Sequence, residues 1–99
     1  MTKQDVIQQI SRRTGQDPLT SRAVVESFFE VVKENLAAGE SIYVRGFGSF
    51  TPVRRAARIA RNINQNTAHP IAAHMIPVFK PSVEFKQQVR AQRVTEATK

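Results

Sequence analysis

Three arginines, Arg55, Arg58 and Arg61, recur every third residue in a stretch that ends in "RNINQNTAHP", residues 61–70. Planar guanidinium forks suit phosphate oxygens and narrow anionic grooves better than they suit general acid–base work. The same stretch holds Ile63 among asparagines and glutamine, where an exposed aliphatic side chain forgoes about 1.5–3 kcal/mol of burial. A branched apolar residue at the end of a basic, polar segment calls for a partner that supplies both phosphate and an apolar crevice.

Charge along the chain supports the same chemistry. Residues 1–40 hold five basic and six acidic side chains, so −1. Residues 41–83 hold Arg45, Arg54, Arg55, Arg58, Arg61 and Lys80 with no acid, so +6, and residues 84–99 add four bases and two acids, so +2; the sum is the chain's +7. A solvated surface mixes signs, whereas an acid-free block of this length points to a polyanion.

Enzymatic and metal chemistries find little support. There is no cysteine, which removes disulfides, thiolate metal sites and thiol nucleophiles, and suits a reducing cytoplasm. His69 and His74 are five apart on an extended segment, facing opposite ways with no acid near them, so a metal site is not expected. Glu26, Glu30 and Glu34 recur every four residues, as on the polar face of a helix. "GFGS" at 46–49 lacks the lysine and following helix of a phosphate loop. No catalytic residue, cofactor or small-molecule substrate is assigned. The apolar runs are too short for a membrane span, and "MTKQD" is no signal peptide.

Ninety-nine residues fit one small domain, 1–99, of a size that often leans on oligomerisation for stability. Thr2 as cap, Asp5 in the first turn, the stripe Val6, Ile7 and Ile10, and Gly15 at the end predict a first helix. Asp17 followed by Pro18 starts a second. Its stripe is Ser21, Val24, Val25, Phe28, Phe29, Val32 and Leu36, and Gly39 stops it. From Ser41 the period changes to two, and "SIYVRGFGSFTPVRR" is rich in β-branched and aromatic residues. "AARIARNI" continues that run outward, the turn at 64–66 reverses it, and "PIAAHMIPVFKP" returns, with Pro70 and Pro77 arguing for edges or bends. The two runs predict a ribbon of eight to ten residues per side, reaching about 30 Å, marginal alone in water and ordered by a partner. A short helix from Ser82 presents Val83, Phe85 and Val89, and the final "TEATK" is expected to fray. The fold class is α+β: residues 1–40 a helical base, 41–81 a three-stranded antiparallel sheet drawn out into the ribbon arm, 82–99 a C-terminal helix and tail. Phe47, Phe50 and Phe79 are too apolar for an open ribbon and must meet helices or a second chain.

Gly46-Phe47-Gly48-Ser49-Phe50, Arg55-Ala56-Ala57-Arg58, Arg61-Asn62 and Ile76-Pro77-Val78-Phe79-Lys80-Pro81, in this order and spacing, resemble the HU/IHF family of bacterial DNA-bending proteins over residues 1 to about 90. That family is itself a standard example of minor-groove architectural binding with apolar wedges between base steps. The resemblance implies an intertwined dimer, with itself or with a paralogous chain, and no enzyme. It implies two arms wrapping the minor groove of double-stranded DNA, and a cytoplasmic, nucleoid-associated place. It implies low sequence specificity, against the alternatives of one subunit of a sequence-selective IHF-like heterodimer or an RNA-binding protein. Phosphate contacts are expected from Lys3, Arg55, Arg58, Arg61, Lys80 and Lys86. Asn62 lies beside the wedge, the amides at Gly46 and Gly48 can approach phosphate closely, and Phe47, Phe50 and Phe79 form the dimer core. Two departures stand out. The family's usual Pro at the tip is Ile63 here, so Ile63 is the expected intercalating wedge, with Asn66 where a glycine is usual. Val83 stands where the family often has lysine.

Overall fold

The computed structural model describes residues 1–92; the expected fraying of 95–99 falls outside them. Two compact units divide the chain between Asn35 and Leu36.

In the first unit, α1 runs Lys3–Thr14. Thr2 caps it: its hydroxyl accepts from the Asp5 N–H, and the Asp5 carboxylate accepts from the Thr2 N–H, so two of the free donors at the helix start are satisfied reciprocally. Gly15, left-handed at φ 76°, closes the helix by donating to the Ser11 carbonyl. Helix α2, Pro18–Ala37, begins as expected, with Asp17 Oδ1 accepting from the Thr20 N–H at 2.8 Å. The hairpin closes on Ile7, Ser21 and Val25, the three buried side chains among the described residues. Lys3 Nζ meets Glu26 Oε2 at 3.0 Å, Arg22 lies 3.5 Å from the same oxygen, and an Arg22–Gln4 hydrogen bond joins the helices again. Much of the predicted stripe is uncovered: Val24, Phe28 and Phe29 remain exposed, as do Leu19 and Val31.

The second unit carries the sheet. The alternating run from Ser41 is two strands, β1 (Ile42–Val44) and β2 (Gly48–Arg55), hinged at Arg45-Gly46-Phe47, where the Phe47 N–H returns to the Val44 carbonyl. Strand β5 (His74–Pro81) completes an antiparallel sheet of order β1-β2-β5. The outer arm is a separate antiparallel pair, β3 (Arg58–Asn62) and β4 (Thr67–Ile71). The predicted ribbon is therefore not continuous: Ala56-Ala57 on one side and Ala72-Ala73 on the other belong to no strand, and the distal pair, five residues a side, extends about 17 Å.

The prolines fit the ladders in one way. Pro52 faces Pro77, Gly48 faces Pro81, and Ile59 faces Pro70. Opposed residues alternate between pairs that exchange hydrogen bonds and pairs that do not, and two prolines face to face can only be the second kind. Counting in steps of two, Pro81 and Phe50–Phe79 fall in the same class. Such pairs bring side chains closest, and Phe50 and Phe79 stand with ring centroids 5.1 Å apart. Pro77 lies on the edge strand β5, where a missing N–H leaves nothing for a further strand to pair with.

Helix α3, Val83–Arg90, is capped by Ser82, whose hydroxyl accepts from the Phe85 N–H and whose own N–H donates to the Phe47 carbonyl. That bond helps set Phe85 on Phe47 in a near-parallel stack at 5.2 Å, with Phe47 in turn 5.0 Å from Phe79. The aromatic cluster thus has four members, Phe47, Phe50, Phe79 and Phe85. It remains open, with Phe47 41% and Phe79 37% exposed.

Candidate nucleic-acid interface

The arm reverses at Ile63–Asn66. Asn62 Oδ1 accepts from the N–H groups of Asn64 and Gln65, an Asx turn that pins the bend. Asn66 adopts φ 53°, the one described non-glycine residue with positive φ. Its short polar side chain tolerates the left-handed conformation that a β-branched residue would not. Asn62 is therefore a scaffold for the tip, whatever else it touches. Ile63, held at the apex, is 92% exposed, so its own hairpin does not cover it.

Strand geometry divides the basic residues by face. Arg58, Ala60 and Asn62 share one side of the distal ladder with their partners Ile71, His69 and Thr67, whereas Ile59 and Arg61 share the other with Pro70 and Ala68. The three-residue spacing that looks like a single row in sequence thus puts Arg58 and Arg61 on opposite faces. On the proximal sheet Arg55, Val53, Thr51 and Ser49 line up with His74, Ile76, Val78 and Lys80, and Tyr43 faces Ser49. The opposite face carries Arg54 with Met75, and then the two aromatic partners Phe50 and Phe79. Basic and aromatic functions of the sheet are therefore largely separated by the pleat.

Gly48 has a structural reason of its own. A Cβ there would stand 2.4 Å from the Lys80 carbonyl oxygen and 2.9 Å from the Phe79 ring. Only glycine lets β2 and β5 approach while the aromatic cluster closes beneath. Gly46 turns the hairpin at φ 78° and has open space around it.

Lys3 differs from the other expected phosphate contacts in having an acidic partner. Its ammonium pairs with Glu26, and that hydrogen bond is the first cause holding the Glu26 carboxyl below its ordinary value. Lys3 would meet a phosphate with its charge already shared with Glu26. Arg55, Arg58, Arg61, Lys80 and Lys86 are exposed, and residues 41–83 offer them no carboxylate. Arg45 belongs beside them and the motif reasoning passed over it: with Tyr43, Ser49 and Lys80 it lines a shallow hollow of about 280 Å³. Its signal was present in the acid-free block, but its place at the β1–β2 turn was not. The two histidines do not converge: His69 lies by Thr67 on β4, and His74 begins β5.

Comparison with known proteins agrees with this geometry. The family model described as bacterial DNA-binding protein matches residues 1–90. The chain belongs to this family, which unites the HU and IHF proteins. Its members are non-enzymatic architectural proteins. Similar relatives include the DNA-binding protein HU of Lactococcus lactis, 41% identical over 88 residues that cover 89% of this chain and 97% of the relative. Integration host factor subunit beta of Marinobacter nauticus is 38% identical, covering 90% and 92%. Among solved structures, the HU of Anabaena crystallised with DNA superposes with a TM-score of 0.85 at 26% identity, over 93% of this chain and all of that one. The V42I mutant of Thermotoga maritima HU gives 0.66 at 26% identity, over 90% and 99%. Family membership extends through the arm, because residues 1–90 include both strands of the ribbon and α3.

Proposed function

We propose that the chain binds double-stranded DNA as a dimer, lays its two arms in the minor groove and bends the duplex with little regard for sequence. One observation carries this reading: an arm with arginines on both faces, no acid along it, and a bare isoleucine at its apex. A flat anionic surface would engage one face of a ribbon, whereas a groove offers phosphates on both sides and base steps at its floor. Arg58 and Arg61 then reach the two walls, and Ile63 enters between base pairs as the wedge, with Asn62 holding the turn behind it. Arg55, Lys80 and Lys86 extend the phosphate contacts towards the body, together with the amide of Gly46.

Dimerisation is supported by what one chain leaves open. Ile7 and Val25 are the buried hydrophobic residues among those described, while Phe28, Phe29, Phe47 and Phe79 are each more than a third exposed. A second copy covering the α2 stripe and the aromatic cluster supplies the core that one chain lacks.

Ile63→Ala tests the wedge. Unstacking a base step costs a few kcal/mol, so removing the wedge loses contacts but also relieves that cost. Affinity falls only modestly while the bend falls clearly, read by energy transfer between dyes at the two ends of a saturated duplex. An unchanged end-to-end distance would show that Ile63 does not wedge. Ile63→Asp should be worse than Ala, since a carboxylate cannot be buried unpaired beside phosphates. Competition between duplex DNA and duplex RNA addresses the RNA-binding alternative, because basic ribbons also read RNA by shape.

The similar identities to HU and to an IHF subunit, 41% and 38%, keep a heterodimeric, sequence-selective form as the second reading. Folding and equal binding of random duplexes by the chain alone would exclude it.

A further inference from the structure

At the root of the arm, where the two ladders part, Arg55, Ala56, Ala57, Arg58, His74 and Ile76 line an open hollow of about 510 Å³. Arg55 and His74 are register partners, so their side chains leave the same face of the sheet. Arg58 opens β3 just beyond the break. His74 Nδ1 lies 2.9 Å from the Ala72 carbonyl oxygen. A carbonyl can only accept, so Nδ1 carries the proton, and the neutral ring keeps its lone pair on Nε2. Nε2 is therefore the atom left to take a proton or meet a ligand. The charged and titratable groups that line the hollow are all basic: Arg55 from β2, Arg58 from β3 and His74 from β5. Beyond it, His69 on β4 and Lys80 farther along the face of β5 that holds His74 are basic too. Residues 41–83 contain no Asp or Glu, so the counter-charge must come from outside.

We propose that Arg55, Arg58 and His74 form a binding site for one backbone phosphate of DNA at the arm root, and that His74 takes up a proton from solvent as that phosphate is seated. The site deepens the DNA-binding reading and rests on it. With a neutral ring, Nε2 and a phosphate oxygen present lone pairs to each other. With a proton on Nε2, the imidazolium becomes a third charge-assisted donor beside the two guanidinium groups. The break in the ladder gives the site its room, because the small side chains of Ala56 and Ala57 border the hollow where β2 stops.

The experiment measures affinity for a labelled random-sequence duplex at pH 5.5, 6.5 and 8.0 at fixed salt. It is paired with calorimetry in two buffers of different ionisation heat, which counts protons taken up. Wild type should bind several-fold tighter at pH 5.5 than at 8.0, with net proton uptake on binding. His74→Gln should bind at every pH but lose most of this dependence, whereas His69→Gln should keep it. A pH-independent wild type, or a His74→Gln variant with the wild-type pH profile, would overturn the site while leaving the DNA-binding reading intact. No duplex binding at any pH would overturn that reading, and the site with it.

Discussion

The helical unit and the sheet-and-arm unit use charge in opposite ways. Residues 1–35 mix the two signs and pair several of them: Lys3 and Arg22 share Glu26, and Lys33 lies 3.1 Å from Glu30. In residues 41–83 six bases face no acid. The first pattern is that of a surface content in water, where exposed pairs contribute little each. The second leaves like charges unneutralised along a ribbon, a cost to the free protein that makes sense when a polyanion removes it. Apolar groups show a parallel contrast. The hairpin buries Ile7 and Val25, whereas the arm holds Ile63 bare at its apex.

The hardest test of this contrast is to remove the arm charges together. Replacing Arg55, Arg58 and Arg61 with Ala should weaken duplex binding on the order of 100-fold at moderate salt, as charge-assisted contacts are lost. The salt slope should flatten by about 0.9 for each phosphate contact removed. Lys3→Ala should do much less, because Lys3 already has a partner. Equal losses from the two changes would erase the distinction between the units.

The open aromatic cluster comes next. Phe79→Ala should cost about 3 kcal/mol if a second copy completes its burial, and the melting temperature of the wild type should rise with protein concentration. A small loss with a concentration-independent, monomeric transition would mean that one chain is self-sufficient.

Within the hairpin, Ser21 is 3% exposed and its hydroxyl has no hydrogen-bond partner among the described residues. Ser21→Ala removes an unsatisfied buried oxygen at almost no change in shape. It should stabilise the protein by up to about 1 kcal/mol, measured by denaturant unfolding. Destabilisation would show that the hydroxyl is bonded in solution.

The smallest effect expected is acid sensitivity. Asp17 is held below its ordinary value first by the Thr20 N–H, and Glu26 first by the Lys3 hydrogen bond. A carboxyl lowered on folding contributes stability above its unfolded value, near pH 4, and loses it as pH falls through the lowered folded value. Unfolding should therefore become slightly easier below about pH 4, and Glu26→Gln should remove part of that dependence. A melting temperature flat from pH 6 to 2 would contradict it.

Local physics made much of this protein legible in its sequence. Thr2 with Asp5, Asp17 with Pro18, and Ser82 before an apolar turn name the helix starts, because capping depends on residues within three or four positions. The acid-free block announced a polyanion because charge needs no fold to be counted, whereas the left-handed turn at Asn66 was signalled only by the resemblance, which has a glycine there. Other features depend on partners far away in the chain. Lys3 and Glu26 are 23 residues apart, and Gly48 is indispensable only once the Lys80 carbonyl stands over it. Phe85 joined the cluster only when the Ser82 N–H tied α3 to the Phe47 carbonyl. The two-residue breaks at Ala56-Ala57 and Ala72-Ala73 carry no glycine or proline to announce them. Register decided the rest: it brought His74 opposite Arg55. The side-chain period of a strand is two, so the spacing of three sets Arg58 and Arg61 on opposite faces once both are known to lie on one unbroken strand, whereas Arg55 and Arg58 fall on different strands and the spacing says nothing of which side they share.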